Sequence, residues 1–133
     1  MIMESKRNTG RTGEDRACEF LKKNGYAIIE RNFRNKFGEI DIVAREKGVV
    51  CFVEVRTRKG FEKHSEAFES VDWRKQKRLS RLAVSFLKNK DWWGQRARFD
   101  VVSVSLGEGP GLDTDSVVLL KDAFPVSERF SRV

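Results

Sequence analysis

The chain has 133 residues, of which 39% are hydrophobic and 35% charged, enough for one compact domain and too few for two ordinary ones. No stretch approaches the ~20 apolar residues of a transmembrane helix, and the polar first ten residues lack a signal-peptide core. Two cysteines with one histidine argue against a disulfide or zinc site. A cytoplasmic protein is therefore expected. The formal net charge of +7 favours a polyanionic partner, and nucleic acid ranks ahead of a membrane surface because the sequence carries no lipidation motif.

The N-terminal region is predicted to form a flexible basic tail over residues 1–8 and then a helix over residues 12–24 that Thr12 caps. Glu14 falls in the middle of the apolar stripe of this helix. It is either a carboxylate directed at the core or an acid of the first turn, where the helix dipole favours it. The sequence leaves both interpretations open. The stripe consists of Ala17, Cys18, Phe20 and Leu21.

A strand over residues 26–34 and a hairpin with strands over residues 40–44 and 49–55 are predicted next, with Lys47-Gly48 as a two-residue turn. Side chains alternate between the two faces of a strand, so this register sorts the hairpin into two faces. One face is entirely apolar and is expected to be buried. It consists of Ile40, Ile42, Ala44, Cys51, Val53 and Val55.

On the other hairpin face, the same register places Asp41 directly opposite Glu54. Directly opposed side chains have Cβ atoms ~5 Å apart, and like charges placed there repel. A divalent cation held by both carboxylates would offset the repulsion, since Mg²⁺ takes oxygen ligands. The alternatives are a solvated polar face or a register shifted by a longer turn. Glu39 is expected opposite Arg56 in an ordinary cross-strand ion pair.

Residues 57–68 show no clear period and are predicted to form a mobile basic loop. Within this loop Arg58, Lys59 and Lys63 are candidate contacts to nucleic-acid phosphates. His64, the only histidine, is interpreted as solvated or as a phosphate contact rather than as a catalytic base.

The longest helix is predicted over residues 71–89, with one apolar face and one basic face. Lys75 breaks this segregation, because it falls inside the apolar arc and is therefore expected to point inward, toward the sheet. The basic stripe could follow a phosphate backbone, although a solvated helix face is the commoner fate of such a pattern. The apolar face consists of Leu79, Leu82, Ala83, Phe86 and Leu87, and the stripe of Arg74, Lys77, Arg78, Arg81 and Lys88.

After this helix, Trp92 and Trp93 either stack on bases or cap the core, and the second role is favoured. Strands are predicted over residues 99–105 and 117–120, and the domain is expected to span residues 9–126, followed by a C-terminal tail over 127–133. The order helix, three strands, long helix, two strands indicates an α/β sheet with helices packed against it.

Seven motifs, in this order, resemble those of the uncharacterised bacterial YraN-type family. They are Gly13-Glu14, Gly25-Tyr26, Arg31-Asn32, Gly38-Glu39-Ile40-Asp41, Phe52-Val53-Glu54-Val55-Arg56, Lys75-Gln76 and Arg98-Phe99-Asp100-Val101-Val102. That family is similar to the restriction-endonuclease-like nucleases with a PD-(D/E)xK core, and among them to the archaeal Holliday-junction resolvases. The resemblance implies a single-domain α/β fold with a central mixed five-stranded sheet flanked by helices.

The resemblance also implies a site. Glu14, Asp41 and Glu54 would be ligands of Mg²⁺ or Mn²⁺, and Arg56 stands where these nucleases usually place lysine. Arginine stays charged, so it can hold phosphate oxygens but cannot act as a general base. Related nucleases sometimes move the lysine to a neighbouring helix, and Lys75 has the phase for that position.

Three functions therefore compete. The first is a metal-dependent endonuclease acting on structured or branched DNA, for which junction symmetry and the analogy with resolvases favour a twofold homodimer. The second is a non-catalytic nucleic-acid-binding module that keeps the nuclease fold. The third and weakest is a protein-interaction scaffold.

Overall fold

The computed structural model describes residues 6–60, 64–107 and 115–125, with side chains from residue 9 onward. Within these ranges three helices and five strands form an α/β fold, and no helix is long and apolar enough to span a bilayer. The elements are α1 (Lys6–Lys23), β1 (Ala27–Asn35), β2 (Gly38–Glu46), β3 (Val49–Lys59), α2 (His64–Glu69), α3 (Trp73–Lys90), β4 (Ala97–Leu106) and β5 (Ser116–Phe124).

The strands form one sheet in the order β1-β2-β3-β4-β5. Only the β3–β4 pair is parallel; the other three pairs are antiparallel. A parallel pair needs a long crossover, and α2 and α3 supply it. The mixed five-stranded sheet flanked by helices confirms the predicted architecture.

Helices cover both faces of the sheet. On one face α3 buries a cluster that includes Val43, Val50 and Phe52, and on the other α1 buries Ile42 and Val53 among others. The apolar cluster on the α3 side of the hairpin is bordered at one end by the carboxylates. The predicted position of Ile40 is wrong, because it belongs to the α3 cluster rather than to the face of Ile42.

The reason for this exception is a change in pairing. The β2–β3 ladder runs from Glu46↔Val49 to Ile42↔Val53, whereas the β1–β2 ladder continues to Asn35↔Gly38. Beyond Ile42, β2 stays with β1 alone, and its side chains no longer follow the alternation set by the hairpin turn.

Helix α1 begins at Lys6, so the predicted helix start at Thr12 is wrong. Residues 1–5 lie outside the described part of the chain, as do residues 126–133. Gly10 and Gly13 lower the intrinsic helix propensity of this segment, and packing of α1 against the sheet compensates for it.

The predicted loop over residues 57–68 is also corrected. Residues 57–59 continue β3, because they pair in parallel with β4 up to Lys59↔Leu106. Helix α2 follows at His64, and Lys63 lies outside the described residues. The interpretation of His64 as solvated is wrong: its Nδ1 lies 2.6 Å from Ser103 Oγ and its Nε2 2.9 Å from Ser116 Oγ, which ties α2 to β4 and β5.

A buried polar network fills the end of the sheet near the hairpin turn. The fully buried Asp100 carboxylate accepts hydrogen bonds from the Tyr26 hydroxyl (2.8 Å) and from Arg98 Nε (2.9 Å). Arg98 also donates to Glu46, whose pKa is lowered by Lys121 and Arg98. The motifs at residues 25–26 and 98–102 meet in this network, so their role in the fold is structural.

Candidate metal centre

Asp41 and Glu54 meet at the point where the β2–β3 ladder ends. The last pair of the ladder is Ile42 with Val53, Asp41 and Glu54 are the residues directly beyond it, and their carboxyl groups are hydrogen-bonded. Asp41 Oδ2 also accepts the backbone N–H of Val55 at 2.8 Å. The predicted proximity of the two carboxylates is confirmed.

The environment of Asp41 disfavours its ionised form. Burial, the neighbouring Glu54 charge and the hydrogen bond to Glu54 raise the pKa of Asp41 well above its usual value, against the opposing effect of the Val55 N–H. Asp41 therefore retains its proton to higher pH than an exposed aspartate does. A cation bound between Asp41 and Glu54 would replace that proton.

We expect Asp41→Asn to stabilise the metal-free protein at pH 8 by up to about 1 kcal/mol, the scale of repulsion between opposed like charges. Asn can still accept from Val55 and can donate to Glu54. The pKa of Asp41 is raised in the folded state. Its contribution to the free energy of unfolding of wild type is therefore fully present below the pKa of the unfolded state, and it is lost as pH rises through the pKa of the folded state. The advantage of the variant should therefore vanish near pH 4.

Urea denaturation at pH 4, 6 and 8 in EDTA measures this difference, and repetition with Mn²⁺ should reverse the order of stability at pH 8. An Asp41→Asn protein that is less stable than wild type at pH 8 in EDTA would assign Asp41 a structural role instead.

Glu54 is compensated by cations on the α3 side. Lys75 points inward, as predicted, and forms an ion pair with the buried Glu54 carboxylate. Arg56 Nη1 lies 3.6 Å from the same carboxylate, while Arg56 Nε donates to Ser70 Oγ at 2.8 Å and its Nη2 to the Ser70 carbonyl at 3.3 Å. Arg56 is thus held by the segment between α2 and α3.

The predicted ion pair between Glu39 and Arg56 is wrong. Because the β2–β3 ladder has ended, Glu39 no longer faces Arg56; it pairs with Arg34 of β1 instead. Its carboxylate accepts from Arg34 Nε at 2.9 Å.

Glu14 reaches the same region from α1. Since α1 begins at Lys6, Glu14 lies in the third turn, and the alternative of a first-turn acid is wrong. Its side chain is 19% exposed and lies 3.5 Å from Arg31 Nη2. Burial raises the pKa of Glu14, with Arg31 opposing and Glu39 adding to the shift.

The three carboxylates of Glu14, Glu39 and Asp41 each place one oxygen within 4.8 Å of the other two. With its amide nitrogen turned toward these acids, Asn32 lies 2.8 Å from Glu39 and 3.3 Å from both oxygens of Glu14. Ligand oxygens around Mg²⁺ lie at most about 4.2 Å apart, so a small side-chain adjustment would bring all three to one cation.

Glu39 was not among the metal ligands that the sequence predicts. Its spacing of two residues from Asp41 on one strand was the available signal, because such residues share a face.

Asp41 lies between two open clefts. One, of about 680 Å³, is also lined by Glu14, Arg58 and Lys59, and the other, of about 320 Å³, by Glu54 and Lys75 among others. A polyanion in either cleft would approach Asp41 past cationic side chains.

A family model described as "Uncharacterised protein family UPF0102" matches residues 13–104 of the chain. The chain belongs to this family. A UPF0102 protein of Caldicellulosiruptor saccharolyticus is 42% identical over 121 residues, which cover 90% of this chain and 99% of the relative. UPF0102 proteins of Persephonella marina and Desulfosudis oleivorans are 43% and 42% identical, over 71% and 92% of this chain and 81% and 94% of theirs. The predicted membership of an uncharacterised family is confirmed.

The region matched by the UPF0102 model contains Lys75 and the carboxylate cluster, which consists of Glu14, Glu39, Asp41 and Glu54. It also contains the basic stripe on α3, whose five cationic residues are all exposed, as predicted. Trp92 packs edge-on against Phe86, which confirms its role as a cap of the core, whereas Trp93 is 36% exposed. The UPF0102 chain thus brings Glu14, Asp41, Glu54, Arg56 and Lys75 to one end of its sheet.

Proposed function

We propose that this protein is a metal-dependent endonuclease that hydrolyses phosphodiester bonds in structured DNA. The observation that supports the proposal most is the convergence of four carboxylates from α1, β2 and β3 beside an inward-pointing lysine. The resemblance of the sequence motifs to those of PD-(D/E)xK nucleases supports the proposal.

The donor set suits a hard divalent cation. All candidate ligands are carboxylate oxygens, which Mg²⁺ and Mn²⁺ prefer. Asp41 would be the central ligand, joined by Glu54 on one side and by Glu14 and Glu39 on the other. When bound, such a cation lowers the pKa of water and neutralises charge on a phosphoryl group.

The remaining residues would orient the substrate. Lys75 is positioned to stabilise charge that develops on a phosphate oxygen, a role in which preorganised cations are effective. Arg56 is anchored by Ser70 and faces Glu54, so it would position that carboxylate and one phosphate oxygen. Arg58, Lys59 and the basic stripe on α3 would hold the DNA backbone without selecting a sequence.

The test is single-turnover cleavage of a four-way junction, a flap and a linear duplex by the full chain with Mg²⁺ or Mn²⁺. We expect cleavage of at least one branched DNA, and a loss of about 10²-fold or more in Asp41→Asn and Glu54→Gln. Glu19→Gln, on the exposed side of α1, is the matched control and should cleave like wild type.

Lys75→Met separates catalysis from metal binding. This change should lower cleavage, yet it should preserve or tighten Mn²⁺ affinity, because the amine no longer competes for Glu54. Titration calorimetry with Mn²⁺ measures the affinity. If wild type binds branched DNA equally well with and without metal and never cleaves it, the non-catalytic module is favoured instead.

A further inference from the structure

Two exposed aromatic side chains lie beside the basic stripe of α3. Trp73, the first residue of α3, is 63% exposed, and Phe37, in the turn between β1 and β2, is 38% exposed. A single exposed hydrophobic residue is common, but two rings in one cationic cleft are not explained in that way. The cleft has a volume of about 450 Å³, and its other walls are Lys36, Arg74, Lys77, Arg78 and Arg81.

Each ring is flanked by cations. Arg74 Cζ and Lys77 Nζ lie 5.6 and 5.4 Å from the centroid of the Trp73 ring. The centroid of the Phe37 ring is approached in the same way, at 5.2 and 5.9 Å, by Lys36 Nζ and Arg81 Cζ. Exposed cation–π contacts are weak, so the side chains of Lys36, Arg74 and Lys77 can turn to a phosphate at little cost.

The Phe37 side of the cleft is preformed. Asn35 Oδ1 accepts the Phe37 backbone N–H at 2.8 Å, and Asn35 Nδ2 donates to Ser85 Oγ of α3 at 3.1 Å. The turn is therefore fastened to the helix that carries Trp73. A platform of this kind loses little conformational entropy when a flat ligand stacks on it.

The cleft adjoins the carboxylate cluster. Arg78 lines both this cleft and the cleft that contains Asp41, Glu54 and Lys75. A chain bound along α3 would therefore pass from the aromatic rings toward the candidate metal centre.

We propose that this cleft binds unpaired nucleotides, with bases stacked on Trp73 and Phe37 and the adjoining phosphates held by the cations of α3. Every base has a π face, so such binding tolerates any sequence, and each stacked base increases the affinity about fivefold or more. Two rings are too small an apolar surface to anchor a membrane-bound helix face. The inference rests on the proposed function and narrows it to nucleic acids that carry a single-stranded segment.

The test is binding in EDTA, where no metal-dependent cleavage occurs. Fluorescence anisotropy compares a labelled single-stranded DNA with an abasic strand of the same length, which keeps the phosphates and lacks the bases. Wild type should bind the base-bearing strand more tightly than the abasic strand, by about thirtyfold or more, because two bases are stacked. Trp73→Ala and Phe37→Ala should each reduce this preference about fivefold or more, the share of one stacked base, and leave the affinity for the abasic strand unchanged.

Trp93→Ala is the matched control, because Trp93 is also exposed and also lies near a lysine, with Lys88 Nζ 5.8 Å from its ring. This variant should bind both strands like wild type. Trp73→Phe should retain most of the preference, which shows that the loss in Trp73→Ala is a loss of stacking and not of folding.

Equal affinity of wild type for the two strands, or an equal loss in Trp93→Ala, would overturn the proposal. The proposal would also be overturned, in favour of a membrane site, if wild type bound phosphatidylglycerol vesicles and neither DNA strand. An RNA strand of the same sequence, measured in the same way, distinguishes RNA from DNA as the source of the unpaired nucleotides. A protein that shows the base preference but never cleaves would refute the nuclease while sustaining the stacking site.

Discussion

Replacing Asp100 by Ala should lower the free energy of unfolding by about 3–5 kcal/mol, the cost of breaking a buried ion pair. Its carboxylate is fully buried and holds Arg98, the Tyr26 hydroxyl and the backbone N–H of Asp122 (2.9 Å). The change would leave the Tyr26 hydroxyl without its acceptor and Arg98 with only Glu46 as its charge partner. Urea denaturation measures the loss.

An exposed pair provides the control. Asp15 accepts from Arg31 at 2.9 Å, the same distance as in the Arg98–Asp100 pair, but the Asp15 side chain is 52% exposed. Asp15→Ala should cost no more than about 1 kcal/mol, as for other surface ion pairs. Similar losses in the two variants would mean that burial does not set the strength of the Arg98–Asp100 pair.

Gly13→Ala should destabilise the protein by about 1–3 kcal/mol or more, the usual cost of overpacking. An added Cβ would lie 1.8 Å from Thr57 Oγ1, 2.6 Å from Cγ2 and 2.7 Å from Cβ. Rotation of a β-branched side chain cannot clear its own Cβ, so α1 must move away from β3. Because Glu14 is the next residue, Mn²⁺ affinity should fall as well.

Gly10 lies in the same helix but has no atom within 4 Å of an added Cβ. Gly10→Ala should therefore stabilise the protein by up to about 1 kcal/mol through helix propensity alone. The two variants together separate close packing from propensity. A Gly13→Ala protein as stable as Gly10→Ala would contradict the close approach of α1 to β3.

Local sequence information was sufficient for the hairpin and for α3. Lys47 and Gly48 both have positive φ, +48° and +78°, as expected of a two-residue hairpin turn, and that turn fixes the ladder from Glu46↔Val49 to Ile42↔Val53, next to which Asp41 and Glu54 lie. In α3, Asp72 caps the helix and a 3.6-residue period gives the inward direction of Lys75. These features depend on residues close together in the chain.

Features that depend on distant residues could not be predicted in this way. The strand character of residues 57–59 comes from parallel pairing with β4, some 47 positions later in the chain. The close approach of α1 to β3 at Gly13 and Thr57 joins residues far apart in the chain, and the direction of Glu39 depends on where the β2–β3 ladder ends. Glu39 therefore joined the candidate site only once the sheet was known.

The hydrogen bond from the Val55 amide to Asp41 has a practical consequence for spectroscopy. This amide proton is bonded to a titrating side chain rather than to a backbone carbonyl, so its chemical shift will follow the charge on Asp41. The ¹⁵N–¹H resonance of Val55 would thus report the protonation of Asp41. It would also report the replacement of that proton by a bound cation, without any substrate. Val55 is therefore a built-in NMR probe of the candidate metal centre.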